Sequence, residues 1–116
     1  MAGARRLETA DGREVAPRVE EADSFLRRGL GLMFRSELPA GGGLAITPCN
    51  SIHMFFMRFP LDVAFVDREG AVVRAYHGIR PWRVSRIVRH ARTAYELPAG
   101  TLAAAGVERG TVLRLV

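Results

Sequence analysis

Two largely apolar runs in the middle of the chain, Leu61–Val66 and Ala71–Ile79, are separated by the turn formers Asp67-Arg68-Glu69-Gly70. This pattern predicts a β-hairpin. The first run is apolar at every position except Asp62, as in a strand covered on both faces. Ser51–Met57 also alternates and predicts a strand with Ile52, Met54 and Phe56 on an apolar face and Ser51, His53 and Phe55 on a mixed one. Shorter strands are predicted at 44–47, between the glycines 41–43 and Pro48, at 93–97 before Pro98, and after a turn at 108–110. Arg13–Val19 reads as an edge strand, since Pro17 cannot donate to a ladder.

Helical spacing is weaker. Ala22, Phe25, Leu26 and Leu30 recur every three or four residues, with acids early and Arg27 and Arg28 late, which predicts a helix over 18–28 ended by Gly29. A second short helix is expected after Thr101 as N-cap, with Gly106 at the C-terminal glycine position. Residues 1–12 lack periodicity and read as a flexible arm, leaving 13–116 as a single domain. The sum is an α+β domain, mostly β: a small barrel-like or two-layer β fold with two short helices.

The chain has 116 residues, 48% of them hydrophobic and 25% charged, so one core is expected and disorder is excluded except at the ends. No apolar run approaches the roughly 18 residues of a transmembrane helix, and Glu8, Asp11 and Glu14 interrupt any signal-peptide core, so the expected location is cytoplasmic. Cys49 stands alone, which excludes an intrachain disulfide and an all-cysteine metal site.

Charge changes the picture more than composition does. The net charge is +5 and all 17 basic residues are arginine. Arg74, Arg80, Arg83, Arg86, Arg89 and Arg92, with His77 and His90, occupy a segment with no Asp or Glu. The three-residue spacing from Arg80 to Arg92, against Val84, Ile87, Val88 and Ala91, fits an amphipathic helix as well as a strand.

Three motifs carry a family resemblance: Gly31-Leu32-Met33-Phe34-Arg35; Phe56-Met57-Arg58-Phe59-Pro60-Leu61-Asp62-Val63-Ala64-Phe65-Val66-Asp67; and Glu96-Leu97-Pro98-Ala99-Gly100 followed by Gly106–Gly110. In this order, over residues 28–116, they resemble the domain of unknown function 192 (DUF192). The chain departs from the family pattern in passing directly from Met57-Arg58 to Phe59-Pro60, and in having Tyr95 where an aliphatic residue is commoner. The resemblance implies a compact, mostly β fold and no particular activity.

Candidate chemistry starts from the charges inside apolar stretches. Arg58 and Asp62 interrupt the most apolar part of the chain. They fit either a structural ion pair, or a carboxylate-to-backbone bond pinning the Pro60 turn, or an anion clamp by Arg58. Asp67 reads as a turn former. Trp82 lies between Arg80 and Arg83 beside Pro81, a pairing suited to stacking and to bidentate contact with carboxylate or phosphate, or to plugging a barrel end. Cys49 and His53 have the spacing of two metal ligands, though the remaining histidines His77 and His90 lie on or near the arginine-rich segment, or of a nucleophile and base, with Asn50 and Asp62 available as the orienting group. No metal or cofactor is expected, and the glycines 41–43 lack the Lys-Ser/Thr of a phosphate loop.

Three function classes follow. The leading one is a non-catalytic module binding an anionic small molecule or acidic protein partner through Arg58, Arg80, Trp82 and Arg83. The second is an enzyme with an acid/base site around His53, Asp62 and Glu96. The third is weak nucleic-acid binding by the Arg74–Arg92 segment, resting on phosphate neutralisation. Convergence of His53, Arg58, Asp62, Trp82 and Glu96 on one pocket would separate them.

Overall fold

Residues 4–22 and 38–116 are described by a computed structural model. Strands β1 (Arg5–Thr9), β2 (Glu14–Ala22), β3 (Gly42–Ile46), β4 (Leu61–Val66), β5 (Val72–Ile79), β6 (Thr93–Pro98) and β7 (Leu113–Leu115) form one mixed sheet, with helix α1 (Thr101–Ala104) between β6 and β7. Their order across the sheet is β5-β4-β6-β3-β2-β1-β7. β2 and β3 run parallel and the other neighbours antiparallel.

The two edges of the sheet approach each other at one end. Ala71 bridges Val112, Val72 N–H donates to Thr111 O at 2.8 Å, and Leu113 N–H donates to Gly70 O at 2.8 Å. The contact is a bridge and not a ladder, so the sheet curls toward a barrel without closing.

Side-chain alternation splits the core in two. On one face Leu7, Val19, Ala45, Ala64, Val66, Val72, Tyr95 and Leu97 pack under Leu102 and Val107. On the other, Leu44, Ile46, Leu61, Val63, Phe65 and Ala94 pack against Ile52, Met54, Met57 and Val88. β4 lies between the two clusters, and all six of its residues are buried. A continuous apolar run is what that position requires.

Several expectations hold. β4 and β5 form the hairpin, closed by Asp67 Oδ1 accepting the N–H groups of Glu69 and Ala71 at 2.9 and 3.0 Å. β6 ends at Pro98 as expected. Gly106, at φ 67, ends α1, with Val107 N–H donating to Leu102 O and its own N–H donating to Ala103 O. The N-cap is Gly100 and not Thr101, which is the first helical residue.

Others are corrected. The expected flexible arm contains β1, which lies between β2 and β7 with Leu7 fully buried. Strand pairing to the distant C-terminus, invisible to local periodicity, orders it. β2 is an interior strand of nine residues, not an edge. Pro17 is tolerated because it sits at a register shift, where Arg5 pairs with Val19 and Leu7 with Ala16. Residues 18–22 of the expected first helix belong to β2, and the rest of that helix, like the Gly31–Arg35 motif, lies outside the described residues. One helix is therefore present among the described residues. Ser51–Met57 is not a sheet strand, and residues 80–92 are neither helix nor strand.

Candidate functional site

The segments 50–57 and 80–88 pair with each other outside the sheet. Trp82 N–H donates to Met54 O and Met54 N–H to Arg83 O, both at 2.7 Å; Ser85 N–H donates to Ile52 O at 2.9 Å and Val88 N–H to Asn50 O at 2.7 Å. The buried Ser85 hydroxyl completes this ribbon by accepting from Ile52 N–H and donating to Arg86 O, each at 2.9 Å. Arg86 N–H reaches the Tyr76 hydroxyl at 3.0 Å and ties the ribbon to β5. Its inner residues Ile52, Met54, Met57 and Val88 are core, so what alternates with them faces outward.

The alternation breaks at Phe55-Phe56. Met57 N–H turns back to Met54 O, and Phe56 takes φ 64, so Met57 enters the core in place of Phe56. Opposite it, Trp82 takes φ 69. A left-handed backbone at a bulky residue is unfavourable, by about 1–2 kcal/mol. Both are held there by the ribbon's hydrogen bonds. The Phe56 and Trp82 rings meet edge to face with centroids 4.9 Å apart, Phe55 lies 6.1 Å from Trp82, and His53 stacks on Phe55 at 4.9 Å. Phe55, Phe56 and Trp82 remain 41%, 46% and 58% exposed, and Val84 and Ile87 beside them 60% and 74%.

Arginines flank these apolar residues along the chain. Arg58, Arg80, Arg83, Arg86 and Arg89 are exposed. The ion pairs among the described residues lie elsewhere: Arg5–Glu21, Arg6–Glu8 and Arg13–Asp11. The expected ligand-binding residues Arg58, Arg80, Trp82 and Arg83 are all exposed, and they are joined by Phe56, which the alternation had placed on an apolar face with Ile52 and Met54. The Phe-Phe doublet, which interrupts strict alternation, was the available signal.

Asp62 is placed differently. Its carboxylate is fully buried, with Oδ1 accepting Gly78 N–H at 2.8 Å and Oδ2 accepting Gly100 N–H and Leu102 N–H at 3.0 Å each. Two of these donors belong to the start of α1, which has no side-chain cap of its own. The third comes from a bulge in β5 opposite Asp62, where Leu61 pairs with Ile79 but Val63 with Tyr76. The expected carboxylate-to-backbone bond is thus present. It pins α1 to β5 and not the Pro60 turn, and Arg58 is exposed on the loop instead of pairing with it.

Glu96 faces the opposite side of the sheet from Asp62, in register with Leu44 and Val63. It is buried, and burial pushes its carboxyl up to about 7. The expected acid/base site around His53, Asp62 and Glu96 does not assemble: strand alternation separates the two carboxyls and leaves His53 on the exposed ribbon. His53 Nδ1 accepts Phe55 N–H at 3.3 Å, and the Cys49 thiol donates to Ser51 O at 3.1 Å. Among the described residues no group of three His, Cys, Asp or Glu is arranged to hold a metal. Nor is any helix there long and apolar enough to cross a membrane.

Two clefts lie apart from the aromatic group. One of about 360 Å³ is lined by Ala4, Arg18, Glu20, Leu38, Pro39, Gly42 and Gly43. The other, of about 250 Å³, is lined by Pro48, Cys49, Asn50 and Ala91.

Comparison with known proteins places this architecture. The DUF192 family profile, described as an uncharacterized ACR, matches residues 6–115. A UPF0127 protein of Pyrococcus furiosus is 35% identical over 109 residues, covering 90% of this chain and 91% of that protein. One from Pyrococcus horikoshii is 39% identical over 87 residues, covering 71% and 73%. A crystal structure from Sinorhizobium meliloti 1021, provisionally described as a transcription regulator, superposes with TM-score 0.80 at 28% identity, covering 99% of this chain and 96% of that one. A protein of unknown function from Novosphingobium aromaticivorans superposes with TM-score 0.81 at 22% identity, over 96% and 83%. The chain belongs to the DUF192 family of UPF0127 proteins.

Proposed function

We propose that the protein is a non-catalytic module that binds an anionic partner through Trp82, Arg80, Arg83 and Arg58, with Phe55 and Phe56 completing the surface. The observation that carries this reading is the contact between Phe56 and Trp82, two exposed rings both held with left-handed backbones. Packing does not account for rings that are half in solvent, and strain retained at an exposed position points to recognition. The exposed guanidinium groups of Arg58, Arg80 and Arg83 supply charge-assisted hydrogen bonds to carboxylate or phosphate.

Trp82 is the only tryptophan, so its fluorescence reports the site directly. Titration with polyglutamate at low salt is expected to change the emission saturably, with polylysine leaving it unchanged and added salt reversing the effect. Arg80→Ala and Arg83→Ala should each weaken the response several-fold while the melting temperature stays put. An unchanged signal with polyglutamate, citrate, an oligonucleotide and anionic lipid vesicles alike would sink the reading.

A further inference from the structure

We infer that the anionic partner of this surface is a phospholipid bilayer, on which the ribbon docks with Trp82, Phe55, Phe56, Val84 and Ile87 lodged in the interfacial layer. The inference rests on the binding reading above and names its partner. Three observations carry it.

The first is the kind of side chain exposed. Single-stranded nucleic acid stacks on rings. It gives no comparable reward to Val84 and Ile87, which are among the most exposed large apolar side chains described, at 60% and 74%. The membrane interface takes aromatic and aliphatic side chains together, with arginines at the level of the lipid phosphates.

The second is charge. Residues 38–61 and 74–92 contain no Asp or Glu, while Arg58, Arg80, Arg83, Arg86 and Arg89 are all exposed. No carboxylate of either segment opposes an anionic leaflet, and each arginine near it contributes attraction.

The third is backbone satisfaction. A segment leaving water must already pair its own N–H and C=O groups. In the ribbon Met54 donates and accepts, Trp82, Ser85 and Val88 donate across to Met54, Ile52 and Asn50, and Ser85 Oγ takes up Ile52 N–H. The tip can enter the headgroup layer without stranding these groups.

The test is co-sedimentation of the full chain with vesicles of phosphatidylcholine alone and of phosphatidylcholine with phosphatidylglycerol in equal parts, alongside Trp82 emission. Binding to the anionic vesicles only, with a blue shift and quenching by lipids labelled near the headgroup, is expected. Trp82→Ala and Phe55→Ala should each weaken partitioning by about tenfold, the effect of withdrawing one large apolar side chain. Trp82→Phe should restore most of it, which separates lost insertion from misfolding. Polyglutamate or oligonucleotide binding without vesicle binding overturns the bilayer assignment and leaves the module intact; no response to any of them overturns both. Vesicle binding indifferent to Trp82→Ala and Phe55→Ala also overturns it, because the contact would then be electrostatic alone.

Discussion

The Asp62 carboxylate, buried in β4, accepts the N–H of Gly100 at 3.0 Å across 38 residues of sequence and so caps a helix that has no cap of its own. The same Oδ2 takes Leu102 N–H and Oδ1 takes Gly78 N–H. One side chain thereby joins β4, β5 and α1. In Asp62→Asn an amide nitrogen must replace one acceptor, setting donor against donor at Gly78 or at the helix start. The loss should be about 1–3 kcal/mol, the range for hydrogen bonds to a charged group. A urea midpoint equal to that of the parent would rule this role out.

Gly70 is constrained by its neighbour as well as by its own backbone. It has φ +85, and a Cβ there would collide with Leu113 O, the carbonyl of the strand that meets the hairpin turn. Gly12 has a similar φ of +92 but open space around it. Gly12→Ala should therefore cost about 1 kcal/mol from the left-handed backbone alone. Gly70→Ala should cost distinctly more, since the turn must move away from β7. Equal thermal shifts for the two variants would contradict the close approach.

The local elements were legible in the sequence and the long-range ones were not. The β4–β5 hairpin and α1 depend on turn formers within a few residues, and Asp67, Gly70 and Gly106 announce them. β1 has only Leu7 and Thr9 facing inward, too few for a pattern, and it is ordered by β2 and by residues 113–115. At the candidate site Trp82 was legible because Pro81 and two arginines mark an exposed loop. Phe56 was not, because alternation assigned it inward, whereas its left-handed backbone turns it out and brings Met57 in. Separation of Asp62 from Glu96 follows from strand pairing, which composition does not reveal.

Glu96 makes stability depend on pH. Burial raises its carboxyl from 4.5 to about 7 in the folded chain, so between these values the folded state holds a proton that the unfolded state has released. Stability from this group is full below about 4.5, falls as pH rises toward about 7, and is flat above. The total is on the order of 3 kcal/mol. Glu96→Gln should abolish this slope and be more stable than the parent at alkaline pH. Parallel denaturation curves for the two proteins from acid to alkaline pH would exclude a neutral buried carboxyl.

Trp82 offers a test in which glycine and alanine exchange their usual order. At most positions alanine is the more stabilising, because glycine loses more backbone freedom on folding. At φ 69 an L side chain of any size meets the following carbonyl, a penalty of about 1–2 kcal/mol that glycine escapes. Trp82→Ala and Trp82→Gly both lose the Phe56 and Phe55 ring contacts, so their difference isolates the backbone. Trp82→Gly should melt above Trp82→Ala, with a gap of about 1 kcal/mol once glycine's entropy is set against the relieved strain. Both should lose the anionic partner equally, because recognition resides in the ring. Chemical denaturation of the two variants under one set of conditions decides the matter: if alanine is the more stable, the left-handed backbone at Trp82 is not strained, and the argument that strain is kept there for binding falls with it.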